Sequence, residues 1–220
     1  MAVVENAKEA CRGRGRPQVR PDEETLAVII RAARQEFLSR GFAGASMSAV
    51  AQRAGVSTKT LYRLSPCKAD LFRDVIAQRI GKFMLDIDET IVGALDETAA
   101  LARILAAFGH LTLDLETIAL IQLVLSERGR FPEIGKAFYE TAILKTNDAI
   151  SGWLAEQCRK GVLDLDDPWA AAEMLRGMMI MEPQRAVMLG QKSAPSPQEV
   201  EARAAACAAL FLRGAARRPS

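Results

Sequence analysis

Apolar residues recur at every third or fourth position along most of the chain, and this spacing predicts α-helices. In the first such segment, residues 26–37, one face is formed by Ile29, Ile30, Ala33 and Phe37. The sequence shows no sustained alternation of apolar and polar residues and no Asn-Gly pair of the kind that marks a hairpin. We therefore predict an all-α fold.

A long apolar stripe from Lys68 to about Val92 predicts a connecting helix between an N-terminal head and a helical body. The body is expected to contain further helices over residues 98–111, 115–127, 132–160, 169–189 and 197–213. Gly161 and Pro168 mark two of the junctions between them. Pro183 is expected to kink or end its helix, because proline lacks a backbone N–H and its ring clashes with the preceding turn.

The run of residues 54–63 is typical of the turn and second helix of a helix-turn-helix. Gly55 permits the tight turn, and Ser57 is suited to cap the second helix. Val56 and Leu61 are expected to point inward and hold the two helices together. Short polar side chains would then face a DNA groove.

This segment resembles the DNA-binding head of the TetR/AcrR family of bacterial regulators, named after the tetracycline repressor. Residues 40–42, Arg-Gly-Phe, match the family's helix stop and aromatic plug, while Tyr62 and Lys68 stand where it places a phosphate-contacting tyrosine and lysine. The match continues in order and spacing to Leu71. Residues 64–65, Leu-Ser, depart from the usual histidine or tyrosine followed by phenylalanine, which puts the packing at the end of the recognition helix in doubt.

A second resemblance lies in residues 127–134, Glu-Arg-Gly-Arg-Phe-Pro-Glu-Ile, which are similar to the junction of two body helices in AefR-like members of the family. It implies a ligand-binding and dimerising body without naming the ligand. We accordingly predict a basic N-terminal arm over 1–21, a helix-turn-helix domain over 22–67 and an effector-binding and dimerisation domain over 68–217.

Charge separates the two parts of the chain. Residues 1–80 hold fourteen Lys and Arg against eight Asp and Glu, whereas residues 81–220 hold fifteen against nineteen. A basic head fits phosphate neutralisation on DNA, although a solvated basic face would show the same balance. In the arm, Arg12, Arg14 and Arg16 alternate with glycine and are expected to enter a minor groove; phosphate contacts by a flexible tail are the alternative.

The composition is that of an ordinary globular protein, with 50% apolar and 25% charged residues among 220. No apolar run approaches the roughly 20 residues needed to cross a bilayer, and the N-terminus has no apolar signal core, so we expect a cytoplasmic protein without a membrane partner. The four cysteines lack zinc-site spacing and are expected to be free thiols. Cys67, near the DNA-facing end, is either an oxidant sensor or a neutral surface thiol.

The resemblance and the helical register together assign DNA contacts. The residues expected to face bases are Thr58, Lys59, Thr60 and Arg63. The residues expected to hold phosphates are Ser46, Ser48, Ser57, Tyr62 and Lys68. Base preference does not follow, because Ser and Thr pair with several bases.

The family places its effector pocket inside the body. Our candidates there are apolar or amphipathic: Phe83, Ile87, Phe108, His110, Leu111, Leu123, Phe138 and Trp153. Each is otherwise a plain core residue, and His110 is either a polar anchor for a ligand or a hydrogen-bonded residue at a helix end. An apolar pocket would suit a hydrophobic or aromatic effector.

The last two helices form the dimer contact in the family. Candidates in this chain, which would otherwise be intramolecular core, are Met174, Leu175, Met178, Met181, Ala204, Cys207, Ala208 and Phe211. A symmetric dimer would present two recognition helices to a palindromic operator.

The sequence therefore predicts a transcriptional repressor that a small-molecule effector releases from its operator. The alternatives are a helical adaptor and an effector-independent DNA-binding protein. An enzyme is disfavoured, because the chain has one histidine and no recognisable nucleophile–base pair, metal-ligand cluster or phosphate-binding glycine loop. No cofactor is expected.

Overall fold

The computed structural model describes residues 21–88 and 92–215, and its regular structure is helical, as predicted. The α-helices follow in chain order as α1 (Asp22–Gly44), α2 (Met47–Ala54), α3 (Thr58–Leu64), α4 (Lys68–Asp86), α5 (Glu97–Thr112), α6 (Leu115–Glu127), α7 (Pro132–Phe138), α8 (Lys145–Arg159), α9 (Pro168–Met188) and α10 (Pro197–Ala215). Within these ranges no single helix is long and apolar enough to cross a bilayer. Helices α5 and α6 together meet the length and composition criteria, but they are bent by 62° where they meet.

Two predicted helices differ from the structure. The connecting helix α4 ends at Asp86, earlier than expected, because the backbone turns at Ile87 (φ −116°, ψ 21°). The single helix predicted over 132–160 contains a π-helical segment, Tyr139–Leu144, between α7 and α8. Such segments widen a helix locally and are frequent at functional sites.

Helix α9 continues through Pro183 to Met188, close to the predicted bounds of 169–189, so of the two expected effects of this proline the helix end is excluded. Pro183 has no N–H to donate to the carbonyl of Met179, four residues earlier. That carbonyl accepts instead from Arg203 Nε of α10 at 2.7 Å, and the neighbouring Met178 carbonyl accepts from Arg203 Nη2 at 2.6 Å. A side chain from another helix thus supplies a donor to the carbonyl that proline leaves without one.

The core of the head is aromatic at its centre. Phe37, Phe42 and Phe72 pack with ring centroids 5.4 to 5.7 Å apart. The same continuous core includes body residues from α6, α7 and the π segment, namely Leu120, Leu123, Val124, Ile134 and Ala142. The head is therefore packed directly onto the first half of the body.

The second core joins α5 to α8, α9 and α10. Helix α5 packs tightly at Gly109, where an added Cβ would lie 2.5 Å from Met179 Cε and 2.7 Å from Val200 Cγ1. Phe83 of α4 belongs to this second core. The other buried apolar residues of the same helix belong to the head core, namely Leu71, Phe72, Val75, Ile76 and Ile80. Helix α4 is thus shared by both cores.

Candidate DNA-binding head and ligand cavity

The helix-turn-helix is fixed by local caps. The Ser46 hydroxyl accepts from the Ala49 N–H at 3.2 Å to begin α2, and the Ser57 hydroxyl accepts from the Thr60 N–H at 3.0 Å to begin α3. Gly55 ends α2 in the left-handed region (φ +67°), which glycine adopts without steric cost. Leu61 is fully buried and sets the orientation of α3 against the head.

Most of the predicted DNA-contacting side chains of this motif are exposed. Those exposed are Ser46, Ser48, Ser57, Thr58, Lys59, Tyr62 and Arg63, while Thr60 and Lys68 are half-buried. Arg12, Arg14 and Arg16 lie outside the described residues. The motif therefore presents a polar surface.

Arg63 is held by an acid of α1. Its Nη1 and Nη2 donate to Asp22 Oδ2 and Oδ1 at 2.7 and 2.6 Å. These hydrogen bonds lower the pKa of Asp22 and raise the pKa of Arg63. Both side chains are exposed, so the pair ties the recognition helix to the start of α1 at the protein surface.

Lys68 also has an internal role. Its Nζ donates to the carbonyls of Phe42 at 2.6 Å and Ala45 at 3.0 Å and lies 4.6 Å from the centroid of the Phe42 ring. These contacts fix the start of α4 against the segment between α1 and α2. Two of the three ammonium N–H groups are used in this way.

The same segment is held from the body by Glu127, the last residue of α6. Its carboxylate accepts the backbone N–H of Phe42 at 2.8 Å and that of Ala43 at 2.7 Å. Gly41 makes room for it: φ is +71°, and an added Cβ would lie 2.5 Å from Glu127 Oε1. Phe131 packs edge-on against Phe42 with ring centroids 5.1 Å apart.

This contact gives the motif of residues 127–134 a role that sequence reasoning missed. We had associated the motif with ligand binding and dimerisation, whereas its first and fifth residues touch the head. The sequence shows only a glutamate and then an aromatic residue at a helix junction. This pattern does not identify a contact partner that lies 85 residues away in the sequence.

An apolar cavity of about 310 Å³ lies between the two cores. Its wall comes from α4, α5, α6, the π segment and α9, through residues that include Ile76, Ile80, Leu120, Ile143 and Ile180. Of the predicted pocket residues, this cavity contains Phe108, Leu111 and Phe138. We refer to it below as the apolar cavity.

The other candidates lie elsewhere. Phe83 and His110, with Leu111, line a more polar cavity of about 440 Å³ beside Arg34 and Arg79. Ile87 and Trp153 line a wider one of about 790 Å³ between the end of α4, α5 and α8. Leu123 is buried in the head core. The structure thus divides the predicted pocket residues among three cavities and the head core.

Two arginines reach the wall of the apolar cavity, and their surroundings differ. Arg79 is ion-paired with Asp114 and, at 3.0 Å, with Glu116. Arg176 donates from Nη1 to Asn147 Oδ1 at 3.3 Å and stacks 5.2 Å from the centroid of the Phe108 ring, but its buried Nε has no hydrogen-bond partner. Burial lowers the pKa of Arg176.

The predicted dimer residues fall into two groups. Leu175, Ala204 and Ala208 are fully buried and Cys207 nearly so, all within the core of a single chain. Met174, Met178 and Met181 are exposed on α9, and Phe211 is half-buried on α10. A second copy would therefore meet the methionines and not the buried group.

The three cysteines within the described ranges are free thiols, as predicted. Cys67 caps α4: its Sγ accepts from the Asp70 N–H at 3.4 Å and donates to Asp70 Oδ2 at 3.0 Å. This hydrogen bond is the main cause of a lowered pKa at Asp70. Among residues 21–88 and 92–215, no three His, Cys, Asp or Glu side chains are placed to share a metal ion.

Comparison with known proteins agrees with both parts of the chain. Residues 29–75 match the family model described as bacterial regulatory proteins, tetR family. Residues 99–214 match the model described as AefR-like transcriptional repressor, C-terminal domain. Among curated proteins, none matches the sequence.

Three solved structures show the same fold. A TetR-family regulator from Mesorhizobium loti is 25% identical, with 90% of this chain and 100% of that one covered and a TM-score of 0.76. The flavonoid-responsive regulator FrrA is 28% identical, with coverage of 90% and 100% and a TM-score of 0.71. A TetR regulator from Agrobacterium tumefaciens is 21% identical, with coverage of 91% and 97% and a TM-score of 0.69.

Proposed function

The chain belongs to the TetR family of bacterial regulatory proteins, with a C-terminal domain of the AefR-like type, and we propose that it is a homodimeric repressor released from its operator by a small molecule. Members of this family regulate transcription by binding DNA and are not enzymes. Beyond family membership, the proposal states that the protein is a dimer, that it represses transcription and that it responds to an effector. It also places the protein in the cytoplasm with its DNA.

One observation carries the proposal: the helices that line the apolar cavity are those that hold the head. Helix α4 contributes Ile76 and Ile80 to the cavity wall and holds the carbonyls of Phe42 and Ala45 through Lys68. Helix α6 contributes Leu120 and ends at Glu127, which holds the N–H groups of Phe42 and Ala43. A molecule that shifts either helix would therefore move residues 42–45.

Residues 42–45 follow the break in α1 at Gly41 and lead into α2, so their displacement would change the spacing of the two DNA-binding heads in a dimer. The effector would act by binding the conformer unsuited to DNA more tightly, and release is limited by that difference in affinity. The similarity to flavonoid-responsive FrrA favours an aromatic effector. The exposed Met174, Met178 and Met181 are the proposed dimer contacts.

On DNA, we assign base contacts to Thr58, Lys59, Thr60 and Arg63, because they line the recognition helix α3. Phosphate contacts are assigned to Ser46, Ser48, Ser57, Tyr62 and Lys68. The arginines of the arm, residues 12–16, are proposed to enter the minor groove.

The test is binding to the DNA upstream of the protein's own gene, measured by fluorescence anisotropy against unrelated competitor DNA. We expect specific binding by a dimer, weaker binding without residues 1–20, and release by flavonoids or other aromatic compounds that occupy the apolar cavity. Specific binding that no cavity-occupying compound relieves would indicate the effector-independent alternative. Binding no tighter than to the competitor would refute the assignment of this operator.

A further inference from the structure

Arg176 forms no ion pair within the part of the chain that the structure describes, although it is partly buried. The side chain is half-buried in α9, and its Nε is fully buried without a hydrogen-bond partner. Glu173, one turn earlier, is exposed and forms no ion pair with it; its charge raises the pKa of Arg176, but burial lowers this pKa by more. A buried charge without a counter-ion is unfavourable, so the free energy of the ligand-free protein is raised at this position.

Apart from Arg79, the polar side chains in the wall around Arg176 are neutral. No Asp or Glu lines the apolar cavity. The hydroxyl groups of Thr112 and Thr146 donate to the carbonyls of Phe108 and Ala142, each at 2.7 Å. The Gln184 Nε2 donates to the Thr112 carbonyl at 3.0 Å. These side chains are anchored to backbone carbonyls, and none of them hydrogen-bonds Arg176.

The guanidinium retains an available edge. Its bond to Asn147 is made by Nη1, whereas Nη2 forms no hydrogen bond with the described residues and, unlike the fully buried Nε, is not shielded from a ligand. A guanidinium edge matches the two oxygens of a carboxylate, and such charge-assisted pairs are stronger than neutral hydrogen bonds. Arg79 is not available in the same way, because Asp114 and Glu116 already neutralise it.

We infer that the apolar cavity takes an organic anion, with an apolar body against the α4, α6 and α9 side chains and a carboxylate against Arg176. This inference rests on the proposed function and adds the charge of the effector and the residue that recognises it. The cavity volume of about 310 Å³ limits the ligand to a small aromatic or medium-chain acid. Neutral molecules of the same shape would leave the guanidinium unpaired.

The experiment compares acids with alcohols of the same skeleton. The probes are 2-naphthoate with 2-naphthalenemethanol, and decanoate with decan-1-ol, titrated calorimetrically into the full chain. We expect the acid of at least one pair to bind about ten-fold or more tightly than its alcohol, the ratio expected of a charge-assisted hydrogen bond. Arg176→Gln should abolish this ratio, whereas Arg185→Gln, an exposed arginine on the same helix, should preserve it.

Acids that bind no more tightly than their alcohols, or that do not bind, would overturn the inference. Alcohols that bind equally and release DNA would leave the proposed function intact. Acids that bind through Arg176 without releasing DNA would instead contradict the proposed function and support the inference.

Discussion

The Glu127 carboxylate accepts the backbone N–H of Phe42 at 2.8 Å across 85 residues of sequence. This hydrogen bond joins the end of α6 to the segment that leads into the helix-turn-helix. With the bond to Ala43, it supplies acceptors for two N–H groups that the break of α1 at Gly41 would otherwise leave to water.

Replacing Glu127 by alanine should therefore destabilise the protein. The Phe42 N–H is partly buried, and leaving such a group unsatisfied costs about 1–3 kcal/mol. Urea unfolding measures the loss. Glu133→Ala is the control, because this nearby glutamate is exposed. Equal losses in the two variants would show that the hydrogen bonds to the head contribute nothing.

Gly41→Ala should destabilise the chain through the same contact. The position has φ of +71°, and the new Cβ would lie 2.5 Å from Glu127 Oε1. Left-handed backbone at a non-glycine residue costs about 1–3 kcal/mol. Gly44→Ala is the matched control, since its Cβ would meet Arg40 Cβ at an ordinary 3.5 Å. Thermal melts of the two variants that coincide would contradict the strain at Gly41.

Arg203 and Pro183 should be energetically coupled. Arg203→Met removes the donor to the Met179 carbonyl and should cost about 1.5–3 kcal/mol, as for hydrogen bonds to charged groups. In a Pro183→Ala background, the restored N–H can donate to that carbonyl, so the same change should cost less. A double-mutant cycle by urea unfolding measures the difference. Additive effects would show that Arg203 does not compensate for the proline.

Asp22 should restrain Arg63 from DNA. Asp22→Asn frees the guanidinium and removes a negative charge near phosphates, so we expect several-fold tighter binding to the upstream DNA and a steeper salt dependence. Glu23→Gln removes the same charge from the same turn without touching Arg63. Indistinguishable affinities for the two variants would mean that the pair does not compete with DNA.

The Asp22–Arg63 pair also makes a pH prediction. Because Arg63 lowers the pKa of Asp22, the pair stabilises the folded head above the ordinary value of 3.8, and this contribution is lost as the pH falls through the lowered pKa. Melting temperatures of the wild type and Asp22→Asn should therefore converge in acid. The effect should be small, since the pair is exposed.

Local chemistry made parts of this fold predictable. Ser57 and Gly55 act through neighbouring backbone groups, so the helix-turn-helix could be read from adjacent residues. The bounds of α6 agreed with the prediction for the same reason, with Asp114 as its cap. The contact of Glu127 with Phe42 and the tolerance of Pro183 depend on partners from distant helices, which spacing along one helix does not encode.

The residues of the apolar cavity were likewise only partly predictable from the sequence. Phe108 and Phe138 were identifiable as apolar body residues, yet residues with the same pattern, such as Leu123 and Trp153, lie in other places. Arg176 was not predicted at all, because a charged residue in an apolar helix is read as solvent-facing until the packing of its neighbours is known.

The continuous core that links Phe42 and Phe72 to Leu120 and Ile134 has a consequence for engineering. A recognition domain transplanted from another regulator by joining chains at residue 67 would replace one side of this packed interface and leave the other unmatched. Operator preference is better redirected by exchanging the exposed side chains of α3 alone, since these have no counterpart in the shared interior.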